Sequence, residues 1–128
     1  VDRFKPWVDY SREQLLKVFS ESELEDIFSG TKDFAMQRMA ARYAAKEAFY
    51  KALSSMLVKL GITQKTMSFL ATCRTYSIKP GQWEIPTLVV DWNFFEEKLM
   101  CKFPDVEIHL SLSHEKNYAV AYVIIQKK

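Results

Sequence analysis

Between residues 106 and 113 the chain alternates in polarity. Val106, Ile108, Leu110 and Leu112 are apolar, while Glu107, His109, Ser111 and Ser113 are polar. A period of two predicts a half-buried antiparallel strand. Residues 118–125 form a near-continuous apolar run, which predicts a central strand. The polar stretch 114–117 between them predicts a turn, so the two strands form a hairpin. A different period governs residues 38–57. There Ala41, Ala45, Ala48, Phe49, Ala52, Leu53 and Met56 recur at helical spacing. The stretch lacks Gly and Pro and is rich in Ala, so helix propensity is high throughout. A stripe of mostly small residues lets another element approach closely. This helix is therefore predicted to be the buried spine of the domain.

The remaining elements follow from local signals. Residues 1–8 are apolar-rich and interrupted by Pro6, which predicts the tail of a strand leading into a turn. Ser11-x-x-Gln14 and Ser20-x-x-Glu23 have capping-box form. They predict two short helices, to about Phe19 and over residues 21–28, with Gly30 closing the second. Lys32 and Asp33 lead into the long helix, which frays near Leu60 and stops at Gly61. Residues 62–67 read as a loop. Residues 68–78, rich in Thr, Tyr, Phe and Ile, predict a strand. Lys79-Pro80-Gly81 is a turn signal. Residues 87–92 predict another strand, and Asn93 is placed to cap a helix over residues 94–102. The predicted class is α+β: one long helix packed on a small antiparallel sheet.

Composition narrows the possibilities. A chain of 128 residues makes one domain, 1–128, and 48% hydrophobic content supports a real core. The charge is +2 from 18 basic and 16 acidic residues, which argues for no particular partner. No apolar run approaches the ~20 residues of a membrane span. Cys73 and Cys101 lack metal-ligand spacing and read as reduced thiols in a cytoplasmic setting.

Candidate chemistry is sparse. The only histidines are His109, on the polar face of a strand, and His114, at a strand end where a side chain can reach a ligand. No Gly-x-Ser-x-Gly elbow and no close set of zinc ligands is present. With three glycines there is no Gly-rich phosphate loop, so phosphate binding would fall to Arg, Lys, His and turn amides. On the long helix Arg38, Arg42 and Lys46 follow at i, i+4 on a face apart from the apolar stripe, and Glu47 and Lys51 make a further i, i+4 pair. Arg42, Lys46, Lys51 and His114 suit a phosphate. Glu47 among them suits Mg²⁺, which takes one or two carboxylates plus substrate phosphates.

Four stretches in order then carry a resemblance. Arg42-Tyr43-Ala44-Ala45-Lys46-Glu47-Ala48-Phe49-Tyr50-Lys51-Ala52-Leu53 resembles the R-F-A-A-K-E-A-F-x-K-A-L helix of the holo-acyl-carrier-protein synthases. These are the small, single-domain 4′-phosphopantetheinyl transferases. Leu110-Ser111-Leu112-Ser113-His114 followed by Tyr118-Ala119-Val120-Ala121 resembles their S-x-S-H…Y-A-x-A hairpin. Phe19-Ser20-Glu21-Ser22-Glu23-Leu24 is similar to their F-S/T-x-x-E-L segment, and Val1-Asp2-Arg3-Phe4 to the end of their opening motif.

The resemblance implies transfer of 4′-phosphopantetheine from coenzyme A to a serine of apo-acyl carrier protein, with release of 3′,5′-ADP. That step primes carrier proteins for lipid biosynthesis. It implies Mg²⁺ on the pyrophosphate, with Glu47 as metal ligand and catalytic residue and Lys51 neutralising phosphate charge. It places Arg42, Ser113 and His114 on coenzyme A and Arg3 on the acidic carrier protein. From the residues themselves, Lys46 of the basic stripe is expected to join the coenzyme A site, and Lys32 and Arg38 at the basic start of the helix to help steer the carrier protein. It implies a homotrimer with sites shared between neighbours, His114 of one subunit facing Glu47 and Lys51 of another. Neither a nucleic acid nor a membrane is implied as a partner.

Three departures accompany it. The family's G-x-D aspartate would fall upstream of Val1, so the first strand is expected to lie outside these residues. Ser54-Ser55-Met56 stands where the family has G-T-G, and Glu84-Ile85-Pro86 where it has G-x-P. An alternative reading is therefore an impaired module of the same fold that binds carrier protein or nucleotide. A nucleic-acid-binding reading has only the Arg38, Arg42, Lys46 stripe in its favour and the near-neutral charge against it.

Overall fold

The long helix is the longest element of the computed structural model, which describes residues 1–62, 67–80 and 85–128. Helix α3 spans Lys32–Lys59, with the Thr31 side chain accepting from the Phe34 amide at its start. Its end is a Schellman motif. Gly61 takes φ 77°, the Ile62 amide donates to the Leu57 carbonyl at 2.9 Å and the Gly61 amide to that of Val58 at 3.0 Å. Ser54-Ser55-Met56 lies within the helix, and the Ser54 hydroxyl donates back to the Tyr50 carbonyl. Without a glycine at those positions nothing stops the helix there, so it continues to the predicted stop at Gly61.

Ahead of α3 lie two 3₁₀ turns, Asp2–Phe4 and Pro6–Asp9, and helices α1, Arg12–Leu15, and α2, Glu21–Ile27. Both predicted capping boxes form, Ser11 with Gln14 and Ser20 with Glu23. The predicted N-terminal strand does not: Pro6 sits in the first turn of a 3₁₀ segment, where its fixed φ and missing N–H suit a helical start. After α3 comes α4, Phe69–Thr72, then β1, Tyr76–Pro80, β2, Pro86–Val90, and α5, Trp92–Leu99. The first half of the predicted strand 68–78 is thus helical, because the Ser68 hydroxyl caps the Ala71 amide. Asp91, not Asn93, caps α5, and Met100 ends it in the left-handed region. The last strands are β3, Val106–His114, and β4, Ala119–Lys127. The turn expected at Lys79-Pro80-Gly81 falls partly outside the described residues.

Two antiparallel ribbons result, β1 with β2 and β3 with β4. Tyr76 stands opposite Val90 in one, and Ser113 opposite Val120 in the other. The hairpin lies across α3, with β2 beside β3. Along β3 the predicted alternation holds: Ile108, Leu110 and Leu112 pack towards α3 with Ala121, Val123 and Ile125 of β4. The second expectation for β4 is corrected. Among the described residues it pairs with β3 alone, so it is not central, and Tyr118, Val120, Tyr122 and Ile124 stay exposed, Tyr122 by 71%.

Helix α3 is the expected buried spine, and it serves two cores. Its first half carries Ala35, Met39 and Ala40 into a cluster with Phe4, Leu15, Phe19, Leu24, Ile27 and Cys73. Its second half carries Ala45, Phe49, Leu53 and Leu57 into a cluster with Tyr76, Ile78, Leu88, Phe95 and Leu99. Burial in the first cluster pushes the Cys73 thiol up to about 11. A raised thiol pKa in the folded state adds stability below the ordinary thiol range and loses it as pH climbs towards 11. At pH 8 a thiol-specific alkylating reagent is expected to label Cys101 in the folded protein and Cys73 only after unfolding. Equal labelling rates, read by mass spectrometry, would contradict this packing.

Candidate functional site

Three elements wall a cleft of about 590 Å³: the end of α2, the first half of α3 and strand β1. Asp26 and Ser29 come from the α2 side, Arg38 and Arg42 from α3, and Lys79 from β1. Leu112 and His114 close it from β3. One carboxylate against two guanidiniums, an ammonium and an imidazole makes the cleft basic, and it suits an anion with several charges.

Arg42 is the deepest of these cations, with 15% of its side chain exposed. One Nη lies 3.5 Å from Asp26 Oδ2, and the other donates to the Arg38 carbonyl at 3.5 Å. Its Nε is buried with no hydrogen-bond partner. Burial lowers the Arg42 pKa, with Asp26 and Glu23 opposing and Arg38 adding to the fall. A buried guanidinium with an unused N–H favours an incoming acceptor. Arg38 is committed differently. Its Nη1 donates to the Ser29 and Ile27 carbonyls, the open end of α2, and its guanidinium stacks over Phe34. Gly30, at φ 98°, makes the turn that brings those carbonyls round.

Lys46 does not reach the cleft. It is buried with 0% exposure and all three N–H bonds are used. They go to the Cys73 carbonyl at 2.6 Å, the Tyr76 carbonyl at 2.7 Å and Glu23 Oε1 at 3.1 Å. The expectation that Lys46 binds coenzyme A is therefore corrected: no atom remains to offer a ligand. Burial lowers the Lys46 pKa and Glu23 opposes that. Glu23, also 0% exposed, accepts from the Ser20 amide at 2.9 Å and the Ile78 amide at 3.1 Å.

His114 and Ser113 also part company. His114 lines the cleft and holds Gln37 Oε1 at 3.1 Å through Nδ1. Ser113, next along a strand, points to the opposite face and is exposed. Glu47 and Lys51 lie elsewhere again. At 3.6 residues per turn Glu47 stands roughly 140° around α3 from Arg42, and Lys51 roughly 180°. Glu47 is half-buried and Lys51 exposed, and among the described residues neither makes an ion pair, not even with the other. Arg3 packs over the Tyr43 ring and donates to its hydroxyl at 3.3 Å, and Lys32 pairs with Asp9 at 3.3 Å on the surface.

One chain thus brings together Arg38, Arg42 and His114, and it adds Asp26 and Lys79, which the sequence patterns did not single out. Asp26 was legible as the residue one turn beyond Glu23. Lys79 was marked only as part of a turn signal, not as a site residue. No cluster of three or more metal-ligating side chains occurs among the described residues.

A family model described as the 4′-phosphopantetheinyl transferase superfamily matches residues 8–123. Holo-[acyl-carrier-protein] synthase of Thermodesulfovibrio yellowstonii is 36% identical over 126 residues, covering 98% of this chain and 89% of the relative. The enzyme of that name from Treponema denticola is 34% identical over 126 residues, covering 98% and 90%. The solved ACPS-CoA complex of Chronobacterium ammoniagenes superposes with a TM-score of 0.76 at 26% identity, covering 100% of this chain and 91% of that one. The match from residue 8 to 123, the near end-to-end relatives and the shared fold agree: the chain belongs to the 4′-phosphopantetheinyl transferase superfamily.

Proposed function

We propose that this chain transfers 4′-phosphopantetheine from coenzyme A to a serine hydroxyl of apo-acyl carrier protein, releasing 3′,5′-ADP. The observation that carries this reading is the basic cleft around Arg42, in a chain of this superfamily. The cleft takes the nucleotide end of coenzyme A. Its phosphates replace Asp26 as the partner of Arg42 and reach Nε, with Lys79 adding charge and His114 lining the same cleft. The serine oxygen attacks the pyrophosphate phosphorus that bears pantetheine. The bond from that phosphorus to the bridging oxygen breaks, and 3′,5′-ADP leaves with the bonding electrons. Lys51 neutralises charge that builds on the leaving phosphate, and Glu47 takes the serine proton.

Glu47 offers one half-buried carboxylate without an internal partner among the described residues, which fits a Mg²⁺ held mainly by substrate phosphates. When bound, that ion would neutralise the pyrophosphate. Arg3 and Lys32, on the surface near the N-terminal turns, meet the acidic carrier protein. No described helix is long and apolar enough to cross a membrane, and the two free thiols support a cytoplasmic setting.

The active assembly is a homotrimer with shared sites. Two features support this. The Arg42 cleft and the Glu47–Lys51 pair lie on nearly opposite faces of α3, so a single copy does not aim them at one pocket. The outer face of β4 exposes Val120, Tyr122 and Ile124 together, an apolar patch that a second copy would cover.

Glu47→Gln is expected to keep the fold, read by circular dichroism, and to lower transfer at least about a hundredfold. Mass-shift assays of an apo carrier protein measure it, and near-wild-type rates would remove Glu47 from the mechanism. Arg42→Ala is expected to raise KM for coenzyme A by about tenfold with KM for carrier protein unchanged. The reverse pattern would move the nucleotide elsewhere. Tyr122→Glu is expected to sediment as a smaller species than wild type and to lose activity in proportion. A wild-type chain that sediments as an active monomer would end the shared-site reading.

A further inference from the structure

Behind the cleft lies the buried Glu23–Lys46 pair, and the elements it joins are the cleft's own main walls. Glu23 belongs to α2, Lys46 to α3, and the Ile78 amide and Tyr76 carbonyl to β1. Each anchor stands next to a charged residue that lines the cleft. Lys46 is one turn from Arg42, Glu23 is one turn from Asp26, and Ile78 adjoins Lys79. Asp26 and Arg42 then meet across the α2–α3 seam at 3.5 Å.

Capping α2 does not by itself require a buried charge. The other capping box of this chain does the same work with the neutral Gln14, its Oε1 accepting from the Ser11 amide at 3.0 Å. Glu23 differs in what its carboxylate also holds: an ammonium from α3 and an amide from β1. A carboxylate with three donors and an ammonium with three acceptors leave no slack between the walls.

We propose that Glu23 and Lys46 are positioning residues for coenzyme A, fixing the separation of Arg42, Asp26 and Lys79 across the cleft. This rests on the reading of the cleft as the coenzyme A site. Occupancy of the cleft by a ligand that spans its walls should tighten the network behind it. The Ser20 amide reports this, because it donates to Glu23 at the far end of α2 from the cleft. The Ser11 amide, in a capping box outside the network, is the control.

Amide hydrogen exchange of the wild-type protein is measured with and without coenzyme A in metal-free buffer. Coenzyme A is expected to slow exchange at Ser20 about threefold or more and to leave Ser11 unchanged. Protection at Arg42 and Lys79 without any at Ser20 overturns the positioning role alone. No response at Arg42 or Lys79 overturns the cleft assignment and the proposal with it. Kinetics give a second readout in the double variant Glu23→Gln with Lys46→Met, which removes both charges and keeps an acceptor oxygen for one of the two amides that Glu23 holds. KM for coenzyme A is expected to rise about tenfold, with kcat within about twofold and KM for carrier protein unchanged. A folded double variant with unchanged KM for coenzyme A overturns the proposal. If the double variant does not fold, the exchange result on wild type decides.

Discussion

A lysine and a glutamate, each wholly removed from solvent, meet where the two cores join along α3. Taking both charges out of water is costly, and their attraction offsets the cost only when every remaining donor and acceptor is matched. Here all are matched, by four backbone groups from three separate segments. Removing one partner would leave a bare charge in the interior, a loss of roughly 3–5 kcal/mol in comparable cases. An apolar pair would tolerate small slips between the same elements. This one does not, because the hydrogen bonds have direction. The rotation of α3 is thereby set, and with it which residues face the cleft and which face away.

That rotation explains why the site looks divided. Arg42 and Glu47 are five residues apart, yet they serve different sides of the helix. The basic cleft is furnished by one chain, from α2, α3, β1 and β3. Glu47 and Lys51, proposed for the transfer step, stand on the other flank, close to no described cluster of ligands. The proposed shared-site assembly rests on this division together with the exposed apolar face of β4.

Much of the fold was legible because its signals are local. Both capping boxes, the Gly61 stop and the alternation of β3 depend on a few adjacent residues and appear as the sequence predicts. The failures share a cause as well. Residues 1–8 and 68–72 are apolar and short, and such runs do not distinguish strand from helical turn by period alone. β4 is apolar on both faces, which normally signals burial on both, but one chain covers only one of them. Lys46 was the most misleading residue. Its charge and its place in a basic stripe suggest a ligand for phosphate. Its real partners are two backbone carbonyls about thirty residues downstream and a glutamate that the sequence had already assigned to a cap. Ser113 and His114 read as a pair in sequence, yet adjacent residues on a strand face opposite ways.

The two cores also divide the chain by order of synthesis. The buried residues of the first end at Cys73, and only Ala119 packs against it from later in the chain, so most of it can close while the ribosome is still building the rest. The second needs Val123 and Ile125 from the last strand. Those residues follow roughly 50 positions later, about 3–10 s at typical elongation rates. During that interval the second half of α3 has emerged, with Phe49 and Leu53 waiting for cover. The nascent chain is then half a folded protein carrying an apolar helix face, the kind of surface that chaperones hold.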